Sequence, residues 1–153
     1  MKCGENTNPL YPGQFGLVIE SDKFKAVEYF CTQVNLPSIN ISSVNSSVMN
    51  YENFTAGDSL KYSSLSLTFI LDEELKNYLE IFNWMRRLQS ENYDENYDAV
   101  LLIYNNRSRL IKSVRFMNLV PTMLGEIAFS SQETPENPIT VSAEFGYSGF
   151  HFE

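Results

Sequence analysis

The groups in this chain that could do chemistry are one imidazole, two thiols and a scattering of carboxylates. The imidazole is His151, close to the last residue. A Ser-His-Asp or Cys-His device needs an imidazole held by packing and oriented by a third group. His151 therefore reads as a surface or interface residue and not as a catalytic base. The thiols, Cys3 and Cys31, lie far apart without CxxC spacing and read as reduced cysteines of a cytosolic protein. One histidine and two distant cysteines do not make a zinc set, and no phosphate-binding glycine loop or nucleophile elbow occurs. The reading therefore assigns no catalytic residue, no metal ligand and no cofactor. Acid pairs for glycoside chemistry form only in space, and nothing in the sequence singles out two carboxylates. A hydrolase using such a pair in a β-sandwich cleft stays open as an alternative.

Two charged clusters stand out. Ser90 to Asp98 (SENYDENYD) carries ENYD twice. It lacks the spacing and the glycine of a calcium loop, so it reads as a solvated acidic loop. Arg107, Arg109, Lys112 and Arg115 are the one positive concentration. They could anchor an acidic partner or phosphates, or they could be sheet-edge charges that discourage aggregation. In an acidic chain that assembles with itself, such a patch would meet an acidic patch on the next copy.

The chain has 153 residues, a length that fits one domain over 1–153, and 43% are hydrophobic, enough for a core without disulfide or metal. The net charge of −8 argues against a protein that grips nucleic acid, yet it suits a wall past which nucleic acid slides. Met1 to Asn6 has no apolar signal segment, and apolar runs such as Ala99 to Tyr104 are too short to span a bilayer. The Asn-x-Ser/Thr triplets at Asn40, Asn45, Asn53 and Asn106 are accordingly expected to carry no glycan.

Aromatic residues make up 14% of the chain, which favours strands. A polar arm, 1–13, precedes a strand at Gln14–Glu20. A second strand at Phe24–Val34 is expected to close a hairpin with it and to end before Pro37. Residues 38–62 read as a long extended excursion without a core of its own. Its Ile39, Ile41, Val44, Val48, Met49, Tyr51 and Phe54 would need a neighbouring subunit to bury against. Ser63–Leu71 alternates as a half-buried strand. Asp72–Gln89 is the one expected helix, with Asp72 as N-cap and a stripe of Leu75, Tyr78, Leu79, Phe82, Met85 and Leu88. Ile81 and Trp84 lie off that stripe. They either broaden one buried face or form a second contact face, and the single broad face is the simpler reading.

Strands at Ala99–Tyr104 and Arg109–Asn118 form a hairpin. Pro121 interrupts the second, a short strand follows at Glu126–Ser130, and Ile139–Phe152 is a long last strand. The sum is a mainly β (α+β) fold, an antiparallel β-sandwich or barrel of about seven strands with one helix packed on one side. Ser64, Ser66 and Thr68, with Thr140, Ser142 and Glu144, make polar faces on two long strands and suit a wet surface.

Several landmarks in order resemble the tail-tube protein family of contractile-tailed bacteriophages. They are Asn35-Leu36-Pro37 after the early strands, Ala56-Gly57-Asp58 after the excursion, and Leu65 to Phe69 running into the helix with Phe82-Asn83-Trp84. Later come Pro121-Thr122 with Gly125-Glu126-Ile127, and the closing Phe150-His151-Phe152-Glu153. The resemblance covers nearly the whole chain, and the order and spacing carry it. It implies a structural virion protein without catalytic residue or cofactor. Hexameric rings would stack into an inner tube, with the sheath outside and baseplate and tail-end proteins at its limits. DNA would pass through the lumen without specific binding. The protein would sit in the virion tail after assembly in the host cytoplasm. Related tube initiators and end caps are the alternative. On this reading 38–62 bridges copies, Arg107 and Arg109 are contact residues, and the Ser/Thr/Glu faces line the lumen.

Overall fold

A computed structural model describes residues 8–48, 51–90, 94–133 and 136–153, and of 45–48 and 51–54 only the backbone. Nine strands form: β1 (Phe15–Ile19), β2 (Cys31–Asn35), β3 (Ile39–Val48), β4 (Tyr51–Tyr62), β5 (Leu65–Ile70), β6 (Tyr97–Tyr104), β7 (Leu110–Leu124), β8 (Thr140–Gly146) and β9 (Gly149–Phe152). The helices are α1 (Lys25–Phe30), preceded by a 3-10 turn at Asp22–Phe24, and α2 (Lys76–Ser90). Seven strands make one antiparallel sheet in the order β1-β6-β7-β8-β5-β2, with β9 pairing β7. The other two, β3 and β4, pair only with each other. This is the mainly β architecture that the alternation requires.

The sheet folds over because β7 serves two sets of partners. Its first part pairs with β6 and β9, and its last residues, Val120 to Leu124, pair with β8. Asn118 marks the bend, with φ of 54° in the left-handed region that asparagine tolerates. Its amide donates to Asp98 Oδ1 at 3.1 Å and its Nδ2 donates to Ser148 Oγ at 3.0 Å. Pro121 does not interrupt this strand. It sits at a register shift opposite Phe145, where β7 has left β6. The short strand expected at 126–130 does not form, and the expected last strand breaks into β8 and β9 at Tyr147-Ser148.

The early hairpin is also corrected. Phe24 and Val27 are buried three residues apart on a helical turn, and Ser21 Oγ accepts from the amide of Lys23. Extended structure begins only at Cys31, and β1 pairs with β6 rather than with the next strand. Cys31 is half-buried, and burial pushes its thiol up to about 11. Cys3 lies outside the described residues.

Leu17, Leu101, Val114 and Phe116 from one half of the sheet meet Leu65, Leu67, Val141 and Phe145 from the other, and α2 covers them. The helix starts four residues later than expected. Asp72 to Glu74 form a turn, and Leu75 holds φ of 58°. Buried Asn77 fastens this start: its Nδ2 donates to Ile70 O at 2.6 Å, and its Oδ1 accepts from the amides of Asp72 and Tyr78. The buried line is Asn77, Ile81 and Trp84, while Leu79 is 43% exposed and Phe82 39%. Tyr78, Met85 and Leu88 of the expected stripe pack half-buried against the core beside Ile81 and Trp84, so the helix buries one broad face whose centre is turned away from Leu79 and Phe82. Trp84 decides the phase. It packs on Phe24 at 4.7 Å, Tyr97 at 5.3 Å and Phe145 at 6.0 Å between ring centroids.

The second ENYD copy, Glu95 to Asp98, is not a solvated loop; Glu91, Asn92 and Tyr93 of the first copy lie outside the described residues. The Glu95 carboxylate is buried and receives Arg87 twice, Nε at 2.8 Å and Nη2 at 3.0 Å. The Tyr97 hydroxyl donates to it at 2.5 Å, and Lys23 Nζ stands at 3.4 Å. The backbone oxygen of Glu95 accepts Trp84 Nε1 at 3.0 Å. Arg87 pulls the Glu95 carboxyl down to about 2, helped by Tyr97 and opposed by burial.

Two outcomes follow for stability. Trp84→Ala should cost about 3–5 kcal/mol in urea unfolding, whereas Phe82→Ala should cost less than about 1 kcal/mol; equal costs would contradict the helix phase. The Glu95 pKa lies below its ordinary value of 4.5, so its contribution is complete above that value and is lost as pH falls toward 2. Wild type should lose stability through that window, and Glu95→Gln, weaker throughout, should lose less across it in urea titrations at stepped pH.

Candidate assembly surfaces

The polar residues of β5 and β8 face one another across the ladder. Ser66 pairs with Glu144, Thr68 with Ser142, and Thr140 stands opposite Ile70. Their neighbours Leu65, Leu67, Phe69, Val141, Ala143 and Phe145 are all buried, so strict alternation assigns the polar set to the outer face. Gln33 and Asn35 of β2 extend this wall, in register with Thr68 and Ser66. Sequence reasoning missed these two because it ran a strand through α1. Ser64 lies just before β5 and is exposed. Five of the six residues expected on a wet surface therefore form one patch two strands wide, and Ser64 borders it.

The extended pieces of the excursion, Ile39–Val48 and Tyr51–Tyr62, pair with each other as β3 and β4. Ile39 pairs with Tyr62 and Ile41 with Leu60, which gives an apolar face at the root. Tyr62 anchors it against Tyr147 at 6.1 Å and Phe150 at 5.4 Å between ring centroids. Further out the face is bare: Ile41 is 57% exposed and Leu60 53%. Val44, 61% exposed, lies on the opposite face by the period of two. Val48 pairs with Tyr51, and Phe54 with Asn45, along the backbone ladder. Met49 lies outside the described residues.

Between Ile41 and Ser43 the partner strand carries a bulge, and Gly57 sits in it. A Cβ on Gly57 would stand 2.2 Å from Ser42 O, and one on Gly125 would stand 2.7 Å from Ser142 O. Both glycines belong to the landmark segments of the sequence, and both are required by close backbone approach.

The basic cluster divides. Arg115 is spent within the fold, on Glu20 at 2.5 Å and Glu153 at 2.7 Å, with Asp98 at 3.6 Å. His151 Nε2 lies 3.4 Å from Glu153 on the same sheet face. Arg107, Arg109 and Lys112 are exposed at the β6–β7 tip. That tip is about 20 Å along β7 from the β3–β4 root, so the structure does not bring these two sets of contact residues together. Among the described residues no three His, Cys, Asp or Glu side chains group as a metal site, and no helix is long and apolar enough to cross a membrane.

Comparison with known proteins gives this geometry a setting. The tail tube terminator protein of Enterobacteria phage T4 is 28% identical over 107 residues, which are 63% of this chain. The match spans 60% of that relative's length. The tube-terminating cap of the anti-feeding prophage superposes with a TM-score of 0.74 at 12% identity, covering 97% of this chain and 93% of the other. The tube complex of the PVC extracellular contractile injection system, solved with its sheath in the extended state, superposes with a TM-score of 0.70 at 14% identity, covering 96% and 93%. These two likenesses establish the fold. The family model described as phage tail tube protein matches residues 12–153, and the chain therefore belongs to the phage tail tube protein family.

Proposed function

We propose that this chain is a structural subunit of the inner tube of a contractile phage tail, with no catalytic role. Residues 1–153 act as one tail-tube-like domain. Six copies close into a ring, and rings stack into a hollow tube. The polar wall of Ser66, Thr68, Ser142 and Glu144 lines the lumen, where it offers DNA no cationic grip. The β3–β4 hairpin reaches a neighbouring copy and buries its bare apolar face there. The sheath surrounds the tube, and baseplate and tail-end proteins meet its limits. The protein is assembled in the host cytoplasm and resides in the virion tail. One observation carries this reading: a member of the tail tube family presents a continuous uncharged-to-acidic sheet face beside a projecting apolar hairpin. The acidic net charge of −8 agrees with it. Closing sheet edges against other copies would also remove strands that otherwise invite aggregation.

A second reading makes the chain a ring that begins or ends the tube. The relative named a tail tube terminator favours it. The two readings differ in whether a ring accepts another of its kind on both faces.

Negative-stain micrographs of the concentrated protein test this. Rings with a central hole that elongate into tubes support the tube subunit, and rings that never stack support the terminator. Protein that stays monomeric at every concentration overturns both. Ile41→Lys combined with Leu60→Asp should abolish assembly while unfolding stability stays within about 0.5 kcal/mol of wild type, because both positions are exposed in the single subunit and the two charges stand opposite each other across the ladder.

A further inference from the structure

Resting on the tube-subunit reading, we propose that the tip of the β6–β7 hairpin is a basic docking surface for the acidic end of a second copy of this chain. The tip is rigidly built. Asn105 Oδ1 accepts from the amides of Arg107 at 2.9 Å and Arg109 at 3.0 Å, and its own amide donates to Arg109 O at 2.9 Å. Ser108 closes the turn with φ of 57°. The turn thus presents Arg107 and Arg109 to solvent, with Lys112 two residues into β7. None of the three has an ion pair among the described residues, whereas Arg115 on the same strand has three. Beside them lies a groove of about 300 Å³ lined by Asn8, Leu10, Tyr11, Asn106, Arg107 and Ile111, with no carboxylate among its described lining. Leu10 is more than half exposed there.

The other end of the same sheet has the complementary character. Asp22 and Asp94 are exposed there, Asp94 next to the Glu95 that Lys23 reaches, and a groove of about 380 Å³ runs between Val18, Glu20, Asp22, Lys25 and Glu28, where Glu20 is held by Arg115 and Glu28 accepts from the Ile19 amide. Lys25 meets Asp22 at 3.1 Å, but both side chains are open to water, and such a pair holds little. Cations beside a mostly polar groove thus stand at one end, and Asp22 and Asp94 near the exposed Val18 at the other. Pairing of β1 with β6 keeps the two ends apart by the length of β6, about 25 Å. One copy cannot bring its own ends together, but two copies can. The contact is heterologous, so it repeats from copy to copy and gives the assembly a direction. It also lets a chain of net charge −8 approach its own kind, since opposite patches steer the encounter.

The test is charge reversal, read by sedimentation velocity at low salt (about 50 mM) and high salt (about 500 mM). Arg107→Glu/Arg109→Glu/Lys112→Glu should weaken association at low salt by roughly tenfold or more, and Asp22→Lys/Asp94→Lys should do the same. Both sets in one chain should restore it. Circular dichroism melting checks that each variant folds. Tip-reversed protein that associates like wild type, or a full swap that stays weak while folded, would overturn the proposal. So would wild-type binding to duplex DNA that the tip variant loses while its association is unchanged. Wild type that never associates would instead remove the tube-subunit reading on which this one stands.

Discussion

The buried carboxylate of Glu95 is the constraint on which the packing of this molecule turns. It joins the end of α2 and the start of β6 to the 3-10 turn, which lies some seventy residues earlier in the chain. Its carboxylate takes two hydrogen bonds from Arg87 on α2 and one from Tyr97 on β6, its backbone oxygen holds the Trp84 indole, and Lys23 reaches it from the 3-10 turn. Burying a charge is costly unless it is paired and hydrogen-bonded, and here Arg87 supplies the pairing and two hydrogen bonds while Tyr97 and Lys23 add to them. The result fixes the rotation of α2 and so decides which of its residues are core. It leaves Leu79 and Phe82 on the outside, where a helix placed by apolar count alone would have buried them.

Behind that closure stands the bend of β7. A strand of 15 residues that kept one partner throughout would run on as a single open, twisted layer. It changes partners at Asn118 instead and turns the sheet over on its own core. Because inward positions along β5 and β8 are filled by buried side chains, the polar residues between them can only face outward. The wet wall and the dry core are therefore one decision. The β3–β4 hairpin escapes the arrangement, since it pairs with no strand of the main sheet. Its aromatic root is held by Tyr147 and Phe150, and its outer part offers apolar surface that this subunit does not cover. Exposed apolar surface of this kind is the feature on which the proposed contact between copies rests.

Local signals were strong in some segments and ambiguous in others. The alternation in Leu65–Ile70 and Thr140–Gly146 is unbroken, and their registers follow it residue by residue. At Phe24–Phe30 the same apolar residues satisfy both periods. The spacing of Phe24 and Val27, after a capping serine, was the helical signal that strand alternation concealed. Pro121 was read as a breaker because a sequence does not reveal that a strand has lost a neighbour at that point. The ENYD repeat looked like loop because charge usually means solvent; its second copy holds the most buried carboxylate described, and only the approach of Arg87 makes that possible.

By itself the sequence determined the class of the fold, its polar and apolar strand faces, the projecting segment and the ordered landmarks of the family. These depend on local period and on turn residues such as Gly57 and Gly125, which act within short stretches of chain. Only the tertiary structure decided the phase of α2, the division of the basic cluster between Arg115 and the hairpin tip, and the pairing of Ser66 with Glu144 and Thr68 with Ser142. Each of these joins residues far apart along the chain, where no periodicity connects them and packing alone sets the distance.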